Sequence, residues 1–343
     1  MNNKILIEPT FGYTNLDNSP RRPMPHEILI EWVDSVNFIK SRNRLLIALN
    51  FCFHFATMLF MIYYFSFCFS LGSFFFMIFM IFFLAIVYNT LWFHRYCCHA
   101  AFKFKKRAYA LFLLWTNPFV FREESYALAH LVHHQLTDKA GDPYGPHLGC
   151  FGSYFAIEST QKLNTNISNE DFEVLKGDIE HIGFKMNTYE QFKKTGCVEN
   201  VYYYLCRITF AQLLWGLFSF LIGGFRFLIA WYSALFIITF LIRDFNWRGH
   251  GGNYRRNKKP GWEFDKTSAL NQHFYGYLAS EWHDNHHRYP MSVNTGFLPG
   301  QIDIAFWLIW SLAKLNVVHY HFNAAVNFET KVNKEMEAGQ NNY

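Results

Sequence analysis

Charge is scarce in this sequence: Asp, Glu, Lys and Arg together make 17% of 343 residues, against 51% hydrophobic and 20% aromatic. A chain this apolar is not a disordered one. Paired cysteine is lacking too, since the seven Cys are an odd number without repeated spacing and Cys97 and Cys98 are adjacent. A disulfide framework is therefore excluded as the organising principle, and a reducing, cytosol-facing setting is favoured. The formal net charge is only +5 and the basic residues form no aromatic-interleaved stripe, so nucleic-acid binding is set aside. Internal repeats and low-complexity linkers are missing as well, beyond Phe-rich runs such as Phe74 to Phe76.

What is there lies in blocks. From Leu45 to Phe67 and from Leu71 to Phe93 no residue is formally charged, and each block exceeds the roughly 20 residues that cross a hydrocarbon layer of about 30 Å. A second pair runs from about Tyr203 to Gly223 and from Phe225 to Ile242, with Arg207 and Arg226 near the ends, where long side chains can reach the interface. Four transmembrane helices are expected. Two shorter stretches, Ala108 to Phe121 and Ile302 to Val318, are broken by Pro118 or carry Asp303 and Lys314, which suits interfacial or re-entrant helices. Lys and Arg number 6 in residues 1–44, 12 in 94–200 and 11 from Arg243 onward, with none between the first two spans. The positive-inside rule then places both termini and the central loop in the cytosol, in a multi-pass protein. The polar first 44 residues run directly into a full-length span, so no cleaved signal peptide is expected. In the central loop Ser168-Asn169-Glu170-Asp171 reads as a helix start, followed by Phe172, Leu175, Ile179 and Ile182 at three- and four-residue steps. This predicts an amphipathic helix packed on an apolar partner.

Histidine is the anomaly. Of sixteen, eight fall in three boxes: His94 and His99 form H-x4-H, His130, His133 and His134 form H-x2-H-H, and His283, His286 and His287 form a second H-x2-H-H. At this composition about 0.03 matches to H-x2-H-H are expected by chance. Spacing i, i+3, i+4 puts three imidazoles in one helical stripe, which is how a helix presents several nitrogens to a metal centre. Five residues turn an ideal helix by about 500° and leave an H-x4-H pair roughly 140° apart. That pair must straddle the centre, or its helix must loosen. The boxes follow the second span, Pro118 and the fourth span, so all three meet at the cytosolic mouth of the spans. Imidazole suits Fe, Zn, Cu and Ni alike, but a zinc hydrolase needs three protein ligands, whereas eight or more His imply two metals and an all-nitrogen pair argues for redox iron. His26, His54, His147, His181, His273, His319 and His321, each outside the boxes, are read as ordinary polar contacts.

His94-Arg95-Tyr96-Cys97-Cys98-His99, the second box followed by Asp142-Pro143, and the third box resemble the membrane fatty-acid desaturase family, in particular its stearoyl-CoA-desaturase-like branch. The resemblance covers roughly residues 45–318, leaving 1–44 as a cytosolic N-terminal segment and 319–343 as a C-terminal tail. It implies an all-α integral membrane fold, mushroom-shaped, with four transmembrane helices under a cytosolic helical cap that carries a His-rich dimetal centre and a kinked acyl tunnel. The family also uses an isolated His after the last span, preceded four residues earlier by an Asn that reaches the metal through water. Phe245-Asn246-Trp247-Arg248-Gly249-His250 fits that pattern, so the resemblance adds His250 and Asn246 to the eight. One departure bears on substrate: acyl-CoA members of this branch carry an Arg-Asp pair directly before the second box, and here those positions are Leu128 and Ala129. Acyl-CoA, acyl-lipid and carrier-bound substrates all stay open. His250-Gly251-Gly252 is similar to the haem loop of fused cytochrome b5 domains but lacks the Pro between His and Gly, and only 25 residues follow Val318. Electrons are therefore expected from a separate cytochrome b5 or ferredoxin-type donor with its reductase.

The implied activity is O2-dependent desaturation of a long acyl chain by two non-haem iron ions held by His94, His99, His130, His133, His134, His250, His283, His286 and His287. The membrane would be the endoplasmic reticulum in a eukaryote or the inner membrane in a bacterium. A hydroxylase or monooxygenase on the same centre is the nearest alternative. A His-rich metal transporter is a more distant one, against which none of the four spans carries Asp or Glu.

Overall fold

The computed structural model describes residues 5–39, 44–156, 160–252, 258, 262–264 and 269–327. Its helices follow the apolar blocks. Helix α1 (Pro25–Val36) precedes α2 (Leu45–Tyr63), which ends in a wider turn at Tyr64–Cys68, and α3 (Leu71–Phe83) continues as a wide helix through Leu84–Cys98. A short strand β1 (Phe102–Phe104) leads to α4 (Arg107–Thr116) and α5 (Glu123–Leu136), then to α6 (Gly149–Phe155), α7 (Asn169–Ile179) and α8 (Tyr189–Thr195). The long α9 (Val201–Gly249) is followed by α10 (His273–Ala279), α11 (His283–Arg288), α12 (Ile304–Lys314) and β2 (Val318–Tyr320).

Among the described residues three helices are long and apolar enough to cross a membrane: Leu45–Cys68, Leu71–Cys98 and Val201–Gly249. The last of these is not a single rod. Gly223 and Gly224 leave helical geometry, Gly224 with φ 68°, a conformation that L side chains avoid, and a Cβ on Gly223 would fall 2.1 Å from the Phe227 ring. Trp215 and Trp231, sixteen residues apart and hence about 24 Å apart on a straight helix, stack with ring centroids at 5.3 Å. The helix therefore folds back at the glycines into two antiparallel arms, residues 201–222 and 225–249, which pack along α2 and α3. This is where the sequence reading placed its second pair of spans.

One expectation needs correction, and two gain detail. Arg207 does not reach an interface: it is fully buried, ion-paired to Glu123 and to Glu199 at 2.6 Å, because two carboxylates at the foot of α5 and before α9 close around it. Arg226, beside the glycine turn, is exposed. The fold is not wholly helical, since β1 and β2 pair antiparallel with Phe102 opposite Tyr320 and tie the segment after the first box to the chain beyond α12. The N-terminal segment is more than a polar leader. Helix α1 buries Ile28 against Phe11, Leu148 and Ala156, and its Glu31 accepts from Lys162 Nζ at 2.5 Å.

Other elements form where the pattern put them. Ser168 caps α7 through its side chain, and Phe172, Leu175 and Ile179 are buried in the main core. Helix α4 stops before Pro118, and α12 begins at Asp303, whose carboxylate accepts from the Phe306 amide at 2.7 Å.

Candidate metal centre

The first box lies on the wide helix. The amide of His99 donates to the carbonyl of His94 at 3.2 Å, an i→i+5 bond that enlarges the turn, so five residues make little more than one revolution. Of the two solutions open to H-x4-H, the helix loosens. Both rings then face the same space, with centroids 4.9 Å apart. Arg95, between them in sequence, is 2% exposed and holds this helix to the third-box region through Asp303 at 2.7 Å and the carbonyls of Ser280 and Val293.

Helices α5 and α11 each bring their three imidazoles to the same place but divide them between two groups. His94, His99, His130, His134 and His286 form one; His133, His250, His283 and His287 form the other. In each group the facing nitrogens all lie within 4.8 Å of one another. In the first, His94 Nε2 is 3.1 Å from Nε2 of both His130 and His286, and His134 Nε2 is 3.0 and 2.9 Å from the same pair. His99 Nε2 is 2.8 Å from that of His130. The second group is built the same way, with His133 to His287 at 3.3 Å and His250 to His283 at 2.8 Å.

The outer ring nitrogens decide what these inner ones are. His94 Nδ1 lies 3.0 Å from Glu281, His133 Nδ1 2.8 Å from Asp142, and His250 Nδ1 3.0 Å from Asp138. A carboxylate accepts a hydrogen bond from the ring nitrogen it faces, so Nδ1–H of His94 donates to Glu281 and that of His133 to Asp142, which turns each Nε2 toward the centre. His130 Nδ1 is 2.8 Å from the Tyr144 hydroxyl. Burial first, and the neighbouring imidazoles next, push His99, His130, His283, His286 and His287 well below the ordinary imidazole range. They are neutral at physiological pH, the form that ligates a metal. Lone pairs packed at about 3 Å repel one another and fit two cations between them. The residues present therefore suit a dimetal group.

All nine histidines singled out from the sequence fall in these two groups, His250 included. Asn246 is in neither; it lines a small cavity with Tyr126, His130 and Tyr144. Of the isolated histidines, His181 bonds the carbonyl of Tyr96, His54 that of Asn50, and His319 sits in the β-ribbon opposite Lys103. Asp138, Asp142, Tyr144 and Glu281 were missed as functional residues. Asp142 and Glu281 lie inside or beside the motifs, but no spacing rule says which imidazole a carboxylate will face.

Apolar helices folded back on one another, with a buried polyhistidine centre at their ends, define the class: a membrane protein of the polyhistidine type. The fatty acid desaturase family model matches residues 73–321, and the chain belongs to that family. It is thereby an oxidoreductase of lipid metabolism. Among curated proteins it is similar to the Delta-9 desaturase-like 4 protein of Arabidopsis thaliana, 26% identical over 237 residues, which are 67% of this chain and 70% of the relative. The Delta-9 desaturase-like 3 protein of the same plant is 24% identical over 64% of this chain and 67% of its own length. A third relative, the chloroplastic palmitoyl-monogalactosyldiacylglycerol delta-7 desaturase, is 26% identical over 64% of this chain, which spans about half of it, 54%.

Proposed function

We propose that the protein is an O2-dependent acyl desaturase whose two metal sites, held by His94, His99, His130, His134 and His286 on one side and His133, His250, His283 and His287 on the other, bind iron. Asn246 is assigned to the same centre, acting through water. The observation that carries this reading is the convergence of nine imidazoles in two adjoining groups, two of them hydrogen-bonded through Nδ1 to buried carboxylates. Iron held there would supply O2 reduction and hydrogen removal when fed electrons by a separate cytochrome b5 or ferredoxin-type donor. The protein's own task is geometric. An unactivated C–H bond offers no charge for an acid or base, so selectivity rests on fixing one chain segment beside the centre in a dry cavity. Asp142 and Glu281 hold the rings of His133 and His94 in orientation, and Arg95 keeps the first box against the third.

In this reading residues 45–318 form the desaturase domain, with four spans made by α2, α3 and the two arms of α9. The cap and both termini face the cytosol, a reading supported by the clustering of Lys and Arg. The acyl carrier is read as a membrane lipid. Leu128 and Ala129, where acyl-CoA members carry Arg-Asp, are fully buried and offer no charge to a CoA, and one relative is named for a palmitoyl galactolipid. The test is expression in a desaturase-deficient host with mass-spectrometric mapping of double bonds in each lipid class. New double bonds that vanish in the His133→Ala protein are expected; hydroxylated chains instead would move the reaction to the alternative on the same centre.

A further inference from the structure

Between α1, α2, α6 and the second arm of α9 lies a cavity of about 480 Å³, the size of a lipid or ligand site. Its walls are apolar, with Trp32, Phe55, Met58, Phe155, Phe236 and Phe240 among them. The mouth is open on the helix faces themselves: Phe55 is 59% and Phe240 48% exposed, on two helices that are apolar enough to cross a membrane. Thr239 and Arg243, one helical turn apart on α9, line this cavity and also the smaller one that contains Tyr126, His130, Tyr144 and Asn246. The outer cavity and the one against the first histidine group thus share a wall. At the cap end Arg243 donates to the Tyr154 carbonyl and the Tyr154 hydroxyl to Asp244, and from α2 the wall includes His54, whose Nδ1 lies 2.7 Å from the Asn50 carbonyl.

We infer that this cavity is a lateral portal through which the acyl chain of a membrane glycerolipid passes from the hydrocarbon layer to the histidine centre. The inference rests on the desaturase reading and names the side from which its substrate arrives. Three observations favour a lipid chain over other occupants. With α2 and α9 as spans the mouth faces hydrocarbon, so a chain already in the bilayer enters without crossing water. The lining along α2 and α9 is mainly aromatic and aliphatic, with His54 and Thr239 bonded to backbone carbonyls of their own helices, and it offers dispersion contacts to an extended chain. At the cap end a guanidinium and a phenol stand where the ester and headgroup of a lipid would lie. The inner cavity, about 70 Å³, has room for only a few methylenes, so passage requires the long Arg243 side chain to swing aside.

The test uses the purified full chain in maltoside micelles, with a phosphatidylcholine that carries a photoactivatable diazirine midway along one acyl chain. Peptide mapping after illumination is expected to find saturable labelling on residues 51–58 and 236–243. Met58→Trp, which fills the outer cavity, lowers that labelling by roughly tenfold, a loss of about 1.4 kcal/mol of binding. Thr239→Trp, which narrows the shared wall, leaves labelling of the outer cavity and abolishes it at Tyr126 and Tyr144; it serves as the second readout should the Met58 variant misfold. Leu221→Trp, at the far end of the first arm, changes neither. Unlabelled phosphatidylcholine competes and palmitoyl-CoA does not. Labelling spread evenly around the spans and indifferent to Met58→Trp, or displaced by palmitoyl-CoA alone, would overturn the portal. Because labelling is read without turnover, a working portal in a protein that makes no unsaturated product would count against the proposed reaction and not against the portal.

Discussion

Two buried polar regions lie close together in this molecule and are built on opposite principles. Around Arg207 the protein encloses charge and answers it with its own groups: Glu199 at 2.6 and 2.8 Å, Glu123 in direct contact, and further donors to Glu123 from Asn117 Nδ2 at 2.6 Å and Trp92 Nε1 at 3.3 Å. Glu124 adds a second ion pair with Arg122 and accepts from the Glu199 amide. That knot is complete without help. At the histidine centre, by contrast, carboxylates answer the outer nitrogens of His94 and His133, while the inner nitrogens of both groups converge on one another. One region holds the helices together; the other is shaped for something that the chain itself does not supply. The two are joined through Trp92, two residues before His94, and Glu123, at the start of the helix that carries the second box.

The comparison breaks most visibly at the centre. His286→Ala removes a nitrogen from the five-histidine group, and His250→Ala one from the four-histidine group. Both are expected to abolish desaturation and reduce bound iron with little change in thermal stability, whereas His319→Ala, in the ribbon, changes neither activity nor iron. Product per unit of folded protein, with metal analysis, reads this out; a fully active His286→Ala protein would remove the metal assignment.

At the knot the loss should fall on the fold instead. Arg207→Met strands two buried carboxylates, and breaking a buried pair in this way costs on the order of 3–5 kcal/mol. A lowered Tm in detergent, with iron per folded molecule unchanged, is the expected signature. A smaller effect is expected where a carboxylate only orients a ligand. Glu281→Gln still accepts from His94 Nδ1 but withdraws the charge, and losses of this kind run from about 10- to 100-fold in metal affinity. Iron titration measured against the parent chain checks it.

The smallest effect is a pH slope. Glu199 is pushed up to about 7, by burial first, against the pull of Arg207 and with Glu123 and Glu124 adding to the rise. A carboxyl whose folded pKa lies above its unfolded value contributes stability below the unfolded pKa, near 4.5, and loses it as pH rises toward 7. Part of the fall in Tm between pH 4.5 and 7 should therefore disappear in Glu199→Gln. An unchanged slope would mean that the proton sits elsewhere in the knot.

Much of this was legible in the sequence, and the limit has a physical form. Hydropathy marks the apolar blocks because each needs only its own composition to be recognised, and box spacing marks the converging histidines because the i, i+3, i+4 stripe is a property of one helix. Even the glycine turn of α9 was readable as the join between two apolar segments. Arg207 was misplaced because its partners, Glu123 and Glu199, are brought to it by tertiary packing that a single apolar run does not encode. The division of each three-histidine box between two groups was hidden for the same reason, since it depends on how α5 and α11 face each other. The widening of the helix at His94 was legible only as one of two alternatives. Which was chosen depended on the backbone bond from His99 to His94, and the ribbon pairing of residues 102–104 with 318–320 lacked any local signal at all.

The central claim is that the two histidine groups are two metal sites, and the most direct measurement is the iron content of the purified full-length chain with its Mössbauer spectrum after anaerobic loading. The account predicts about two ferrous ions per chain in nitrogen-rich, high-spin environments, with His286→Ala and His283→Ala each perturbing a different one of the two. A chain that folds, retains the neutral imidazoles and binds no more than one iron, or takes up zinc alone, would contradict it.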